Sequence, residues 1–252
     1  MLRRLLPEPA ELELETLYAG LTLRDPPDGR TAWVALCMVA SVDGAATLEG
    51  TSSELGGPAD LLALSRLRAS NDVSLVGAGT IRSELYRPLT GSAARREDRA
   101  SRGLRPVPRL AIVTASGELA PDLPVFSRAE EPPLILTCET ADQAALERIG
   151  DRAEIHTIGH SWVAGDQAVD HLAELGLRRV LCEGGPRLNQ ALLATDRVDE
   201  VFLTVAPTLV GGPAPRIVAG EHEAPGRLML LSAFEHDGDL LLRYRHPRHG
   251  DE

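Results

Sequence analysis

Apolar and polar positions alternate in blocks that switch period along the chain. Trp33 to Ala40 is a nearly continuous apolar run, as expected of a central strand covered on both faces. Val73–Val76, Arg109–Thr114, Leu134–Cys138, Glu154–Ile158 and Arg179–Cys182 are shorter apolar runs of the same kind. Between them the period lengthens. Leu61, Leu62, Leu64 and Leu67 mark one face of a helix opened by Pro58, and further helices are predicted over 142–149, 166–175 and 186–194. This β-α-β-α alternation predicts a three-layer α/β/α fold with a mostly parallel central sheet. Beyond 194 the pattern becomes strand, turn and strand. Asp237-Gly238 between two apolar runs is a hairpin signal, so antiparallel strands are expected to close one edge of the sheet. Residues 1–30 read as an N-terminal extension with a short surface helix, and residues 31–247 as one domain without a linker. The polar stretch 90–108, with Arg95, Arg96, Arg99, Arg102 and Arg105, reads as a solvated loop. A contact from it to a ligand phosphate is the competing reading.

Two junctions in this pattern carry candidate chemistry. The strand 179–182 runs into Glu183-Gly184-Gly185-Pro186, and Pro186 suits a first helical turn because its missing N–H has no partner to lose there. The strand 73–76 runs into Gly77-Ala78-Gly79-Thr80 in the same way. A strand, a glycine turn and a helix start present free backbone N–H groups to an anion, and glycines let a diphosphate approach the backbone. Each junction reads equally as a plain packing turn; the pair together points to a dinucleotide. A third polar turn, Ser41-Val42-Asp43-Gly44, ends the first strand, and open α/β sheets bind ligands at the carboxyl ends of strands.

Composition narrows the field. At 43% hydrophobic and 3% aromatic residues the core is aliphatic. The net charge is −11, and all 26 basic residues are arginine. An acidic chain with no basic stripe is a poor match for nucleic acid, and the lack of lysine removes Schiff-base chemistry. Cys37, Cys138 and Cys182 lie in apolar runs without Cys-x-x-Cys spacing, which argues for a reducing, cytoplasmic compartment and against zinc. No stretch of 18 apolar residues exists to span a membrane.

Ser41-Val42-Asp43-Gly44, Leu67-Arg68-Ala69, Val76-Gly77-Ala78-Gly79-Thr80, Glu183-Gly184-Gly185-Pro186-x-Leu188 and the stretch from Asp199 to Gly212 occur in one order and spacing. Together they resemble the reductase domain of bacterial riboflavin-biosynthesis deaminase/reductases and its free-standing relatives, over roughly residues 32–245. The resemblance implies the dihydrofolate-reductase-like fold, a homodimer, and reduction of a ribosylaminopyrimidine 5′-phosphate by NADPH. The deaminase half's zinc ligand set has no counterpart here. Carried over, the resemblance implies cofactor contacts from Gly77, Ala78, Gly79, Thr80, Glu84, Thr114, Ser116, Ile158, Gly184, Gly185, Pro186, Arg187 and Leu188. It implies substrate contacts from Ser41, Asp43, Ser52, Arg68 and Glu183, with Asp43 and Glu183 as catalytic residues. By the residues alone, Asp43 reads equally as a turn cap, Arg68 as the partner of a carboxylate, and the Thr114 and Ser116 hydroxyls as turn caps.

The chain departs from the family pattern on the substrate side. Ala45 and Ala46 stand where a basic residue is common, and Ser83-Glu84-Leu85-Tyr86-Arg87-Pro88 replaces an Asp-Asp-Pro or Asp-Asn-Pro segment. These changes keep open a paralogue acting on a pterin such as dihydrofolate, with Asp43 on the 2-amino edge, and a nucleotide-binding module without turnover.

Overall fold

The computed structural model describes residues 1–27, 29–127 and 130–247. Eleven strands form one sheet: β1 (Leu2–Leu6), β2 (Ala10–Leu12), β3 (Trp33–Ser41), β4 (Val73–Gly77), β5 (Arg109–Val113), β6 (Leu134–Cys138), β7 (Glu154–Gly159), β8 (Arg179–Cys182), β9 (Glu200–Ala206), β10 (Met229–His236) and β11 (Asp239–Arg245). Their order across the sheet is β2-β1-β10-β11-β9-β3-β8-β4-β5-β6-β7. Pairing is parallel from β9 through β7 and antiparallel from β9 through β2.

Six helices accompany the sheet: α1 (Pro58–Arg68), α2 (Ala78–Ser83), α3 (Ala93–Ser101), α4 (Gln143–Ile149), α5 (Gly165–Glu174) and α6 (Pro186–Ala194). Successive strand residues point to opposite faces. Val34 and Leu36 therefore pack with Val169 and Leu172 of α5 and Leu192 of α6, while Ala35 packs with Ala63 and Leu67 of α1 on the other face. Val76, Ile112 and Ile135 meet Ile81 of α2 and Leu146 of α4 on that second face, farther along the sheet. This is the expected three-layer arrangement. The expected hairpin joins β10 to β11: Asp237 and Gly238 both have positive φ, 51° and 93°, as a type I′ turn requires.

Two expectations are corrected. The N-terminal extension is mainly strand, because β1 adds to the sheet against β10 and β2 pairs with β1, and its helix is confined to one 3-10 turn at Leu14–Thr16. Pro7 and Pro9 forbid a regular helix, and the alternation of Leu12 and Leu14 with Glu11, Glu13 and Glu15 has the period of a strand. Leu2, Leu17 and Leu23 are buried in the cluster around α1. The arginine-rich stretch is likewise no simple solvated loop. It contains α3, capped by Ser92, whose hydroxyl accepts from the Arg95 N–H. Arg99 within it is 1% exposed.

Candidate active site

Strands β4 and β8 are neighbours, so the two glycine junctions meet at the carboxyl edge of the sheet. The Gly77 N–H donates to the Gly184 carbonyl at 2.8 Å. Gly184 has φ +90°, which a side chain disfavours, and a Cβ on Gly185 would lie 2.9 Å from the Thr80 Oγ1. The turns are thus close-packed against each other with no room for side chains between them. Gly79 and Arg187 face solvent, with nothing within 4 Å of where a Gly79 side chain would begin. Ala78 and Leu188 are buried behind this edge, and Pro186 opens α6. Gly184 is buried and Gly77 and Gly185 are half-buried, so the backbone at this edge is open chiefly at Gly79.

Glu183, immediately after β8, is the most constrained charge at this edge. Its side chain is 6% exposed and it accepts two hydrogen bonds from Arg68, from Nε at 2.9 Å and Nη2 at 2.5 Å. The Tyr86 hydroxyl donates to Glu183 Oε2 at 2.7 Å and itself accepts from Arg68 Nη2 at 2.7 Å. The Arg68 guanidinium also lies 5.4 Å from the Tyr86 ring centre. Burial alone would raise the Glu183 pKa, but the Arg68 charge and the hydrogen bonds from Arg68, Tyr86 and Ser74 reverse the effect and hold it below the usual range. Burial pushes the Tyr86 phenol well up, and the Glu183 charge adds to this. The site therefore presents a fixed carboxylate, a phenol that keeps its proton and a bidentate guanidinium.

Asp43 and Glu183, expected together, have separate partners. Leu36 pairs with Cys182, so Ser41 lies well beyond Glu183 along β3 at roughly 3.3 Å per residue. Asp43 accepts from the Ser41 hydroxyl at 2.6 Å, the Val210 N–H at 3.1 Å and the Gly211 N–H at 2.7 Å. These bonds, the Ser41 hydroxyl first, lower its pKa to about 2. Asp43 clasps the 209–212 turn to the end of β3. Ser41 completes the clasp by accepting from the Ala45 N–H at 2.9 Å.

The remaining expected residues are dispersed. The Glu84 carboxylate accepts from the Ser52 N–H at 2.6 Å and ties the 50–57 loop to the end of α2. Thr114 Oγ1 accepts from the Gly117 N–H and Ser116 Oγ from the Glu118 N–H, so both hydroxyls cap their turn. Ile158 packs against the core from β7. Sequence reasoning missed Tyr86 as a partner of Glu183. One signal was available: it is one of three tyrosines, and it falls in the segment that departs from the family pattern. Asn189, fully buried on α6, was also missed; it donates to the Ile217 carbonyl at 2.7 Å and accepts from the Cys182 thiol at 3.3 Å.

A cavity of about 500 Å³ opens beside this cluster, lined by Leu61, Leu64, Ser65, Arg68, Tyr86, Arg87, Arg95 and Arg99 among others. Among the described residues no three His, Cys, Asp or Glu side chains converge as a metal site, and no helix is long and apolar enough to cross a membrane.

The profile of the RibD C-terminal domain matches residues 32–242. The chain belongs to the RibD C-terminal domain family. Among its RibD-family relatives, a protein of Methanothermobacter thermautotrophicus named 2,5-diamino-6-ribosylamino-4(3H)-pyrimidinone 5′-phosphate reductase is 32% identical, over 84% of this chain and 97% of that protein. A protein of the same name from Aquifex aeolicus is 33% identical, over 75% of this chain and 83% of that one. Among solved structures, a pyrimidine reductase-like protein of Corynebacterium diphtheriae superposes with a TM-score of 0.79 at 25% identity, covering 94% of this chain and all of that one. The bifunctional deaminase/reductase of Thermotoga maritima superposes with a TM-score of 0.67, at 19% identity over 86% of this chain and 57% of that chain. The fold is the dihydrofolate-reductase-like α/β fold of RibD-type reductases.

Proposed function

We propose that this chain is an NADPH-dependent reductase of a ribosylaminopyrimidine 5′-phosphate in riboflavin biosynthesis; the names of its relatives carry the pyrimidinone phosphate reductase activity, and the family resemblance implies NADPH. The observation that supports it most is the Arg68–Tyr86–Glu183 cluster, set between the close-packed glycine turns and an arginine-lined cavity. Gly77, Gly79, Thr80, Gly184, Gly185 and Arg187 hold the cofactor at the two turns. NADPH, when bound there, would supply the hydride to C1′ of the ring-opened ribosyl group, and a proton from water would complete the ribityl product. Glu183, kept ionised, orients Arg68 and Tyr86, which line the cavity beside that edge. Tyr86 stays protonated and fixes the carboxylate's rotation. The substrate phosphate falls to Arg87 and Arg95, with the exposed part of Arg68 completing the cavity wall.

Asp43 bears on the pterin reading. Three of the roughly four acceptor positions of its carboxylate are taken by Ser41, Val210 and Gly211, so it is poorly placed to grip a 2-amino-pyrimidine edge. Ala45 and Ala46 are both buried and bring no basic side chain to that turn. The chain also forms a homodimer in this account, as the family resemblance implies. Exposed Leu228, Met229 and Leu230 at the start of β10 supply apolar surface for it. Oxidation of NADPH with the pyrimidine phosphate and dihydrofolate offered side by side tests the assignment.

A further inference from the structure

The arginines of α3 do not serve the solvent. Arg95, Arg99 and Arg102 recur at helical spacing and so share one face. That face meets the carboxyl end of α1, where the last carbonyls of any helix lack intrahelical partners. Arg99 joins that end to the segment after α3: Nη1 donates to the Arg68 carbonyl at 2.9 Å and Nη2 to the Asn71 carbonyl at 2.9 Å, while Nε donates to the Arg105 carbonyl at 2.8 Å. Arg102 Nη2 donates to the Ala69 carbonyl at 2.7 Å, and Arg95 Nη2 to the Ser65 hydroxyl at 2.6 Å. Cations at a helix carboxyl end also complement its dipole. Burial brings the Arg99 pKa down to about 10, with the Arg102 charge acting in the same direction, so it remains cationic at neutral pH.

The gripped backbone begins at Arg68, the last residue of α1, whose side chain reaches Glu183. We propose that Arg99, assisted by Arg102, is a positioning residue: it clamps the backbone of residues 68–71 so that Arg68 holds the Glu183 carboxylate in place. A helix end without such a clamp frays, and Arg68 would then lose its bidentate geometry. The kinetic part of this inference rests on the proposed reductase activity; the structural part does not.

The test compares Arg99→Met and Arg99→Lys with wild type, with Glu97→Gln on the exposed face of α3 as control. Arg99→Met should lower kcat/KM for the pyrimidine phosphate on the order of tenfold or more, as misplaced binding groups do, with NADPH affinity unchanged. The acid limb of its pH profile should move to higher pH. Glu183 is faced by Arg68 from α1, Tyr86 from the segment after α2, Ser74 on β4, Cys37 on β3 and Cys182 on β8, and Arg68 is the only cation among them. Arg99→Lys should recover part of the loss, since an ammonium cannot span three carbonyls. In arginine-labelled protein without substrate, the Arg68 Nε–H, assigned by its absence in Arg68→Lys, should exchange slowly in wild type and fast in Arg99→Met. If Arg99→Met does not fold, Arg102→Gln, which releases only the Ala69 carbonyl, should shift the same readouts less. Wild-type exchange and kinetics in a folded Arg99→Met would overturn the proposal. So would a parallel loss of NADPH affinity, the mark of general loosening. A wild-type protein inert toward the pyrimidine phosphate would defeat the functional reading, while Arg68 exchange would still decide the role of Arg99.

Discussion

At the scale of single residues, the account turns on Glu183 being an anion inside a nearly closed cluster. Its pKa is held down, so its contribution to stability is fully present above the unfolded carboxylate value, about 4.3, and is lost as pH falls through the depressed folded value. Glu183→Gln leaves Arg68 and Tyr86 facing a neutral amide. Removing one member of a buried pair costs about 3–5 kcal/mol, and because the Arg68 side chain is 29% exposed and can turn toward water, about 1–3 kcal/mol is expected here. Denaturant titration at pH 7 and again near pH 3 checks this: the deficit of the variant should shrink at the lower pH. A deficit independent of pH would mean that the carboxylate's charge is not what the cluster uses. Glu183 was legible from the sequence because it sits in a local motif. Tyr86 was not, since its partner is 97 positions away and nothing in the local pattern links the two.

At the scale of elements, the two glycine turns are the most legible feature of the chain. Each is a strand running straight into a helix, a signal written in fewer than ten consecutive residues, and the neighbouring of β4 and β8 brings the turns together as two grips on one ligand would need. Gly185→Val tests their role: a Cβ would begin 2.9 Å from the Thr80 Oγ1, and the branched side chain extends farther into the open edge. NADPH affinity should fall on the order of tenfold or more, about 1.4 kcal/mol per factor of ten, with the circular dichroism spectrum retained. Unchanged affinity in a folded variant would place the cofactor elsewhere. The helix α3 was illegible for a physical reason. Five arginines in a polar stretch have the composition of a solvated loop, and only the carboxyl end of α1, about thirty residues earlier, reveals that two of them satisfy its backbone carbonyls and a third bonds the Ser65 hydroxyl. The N-terminal strands were hidden in the same way, because β1 finds its partner at the other end of the chain: Arg3 is opposite Glu235.

At the scale of the whole molecule, one continuous sheet carries the site on its parallel half and leaves its antiparallel half, with the exposed start of β10, available for association. Sedimentation at micromolar protein should give a dimer, and a monomer there would contradict that part of the account. The layered α/β class followed from hydrophobic period, the antiparallel edge from the Asp237-Gly238 turn and the dihydrofolate-reductase-like fold from the family resemblance, whereas the placement of Asp43 relative to Glu183 depends on strand register, which period does not encode. Asp43 clasps the 209–212 turn, and the proposed site centres on the Arg68–Tyr86–Glu183 cluster. The most direct measurement is NADPH oxidation at 340 nm by the purified protein, with the ribosylaminopyrimidine phosphate and dihydrofolate in parallel. Turnover of the pyrimidine phosphate, with dihydrofolate left unreduced, is the expected result. Preference for dihydrofolate, or silence with both, would contradict the account.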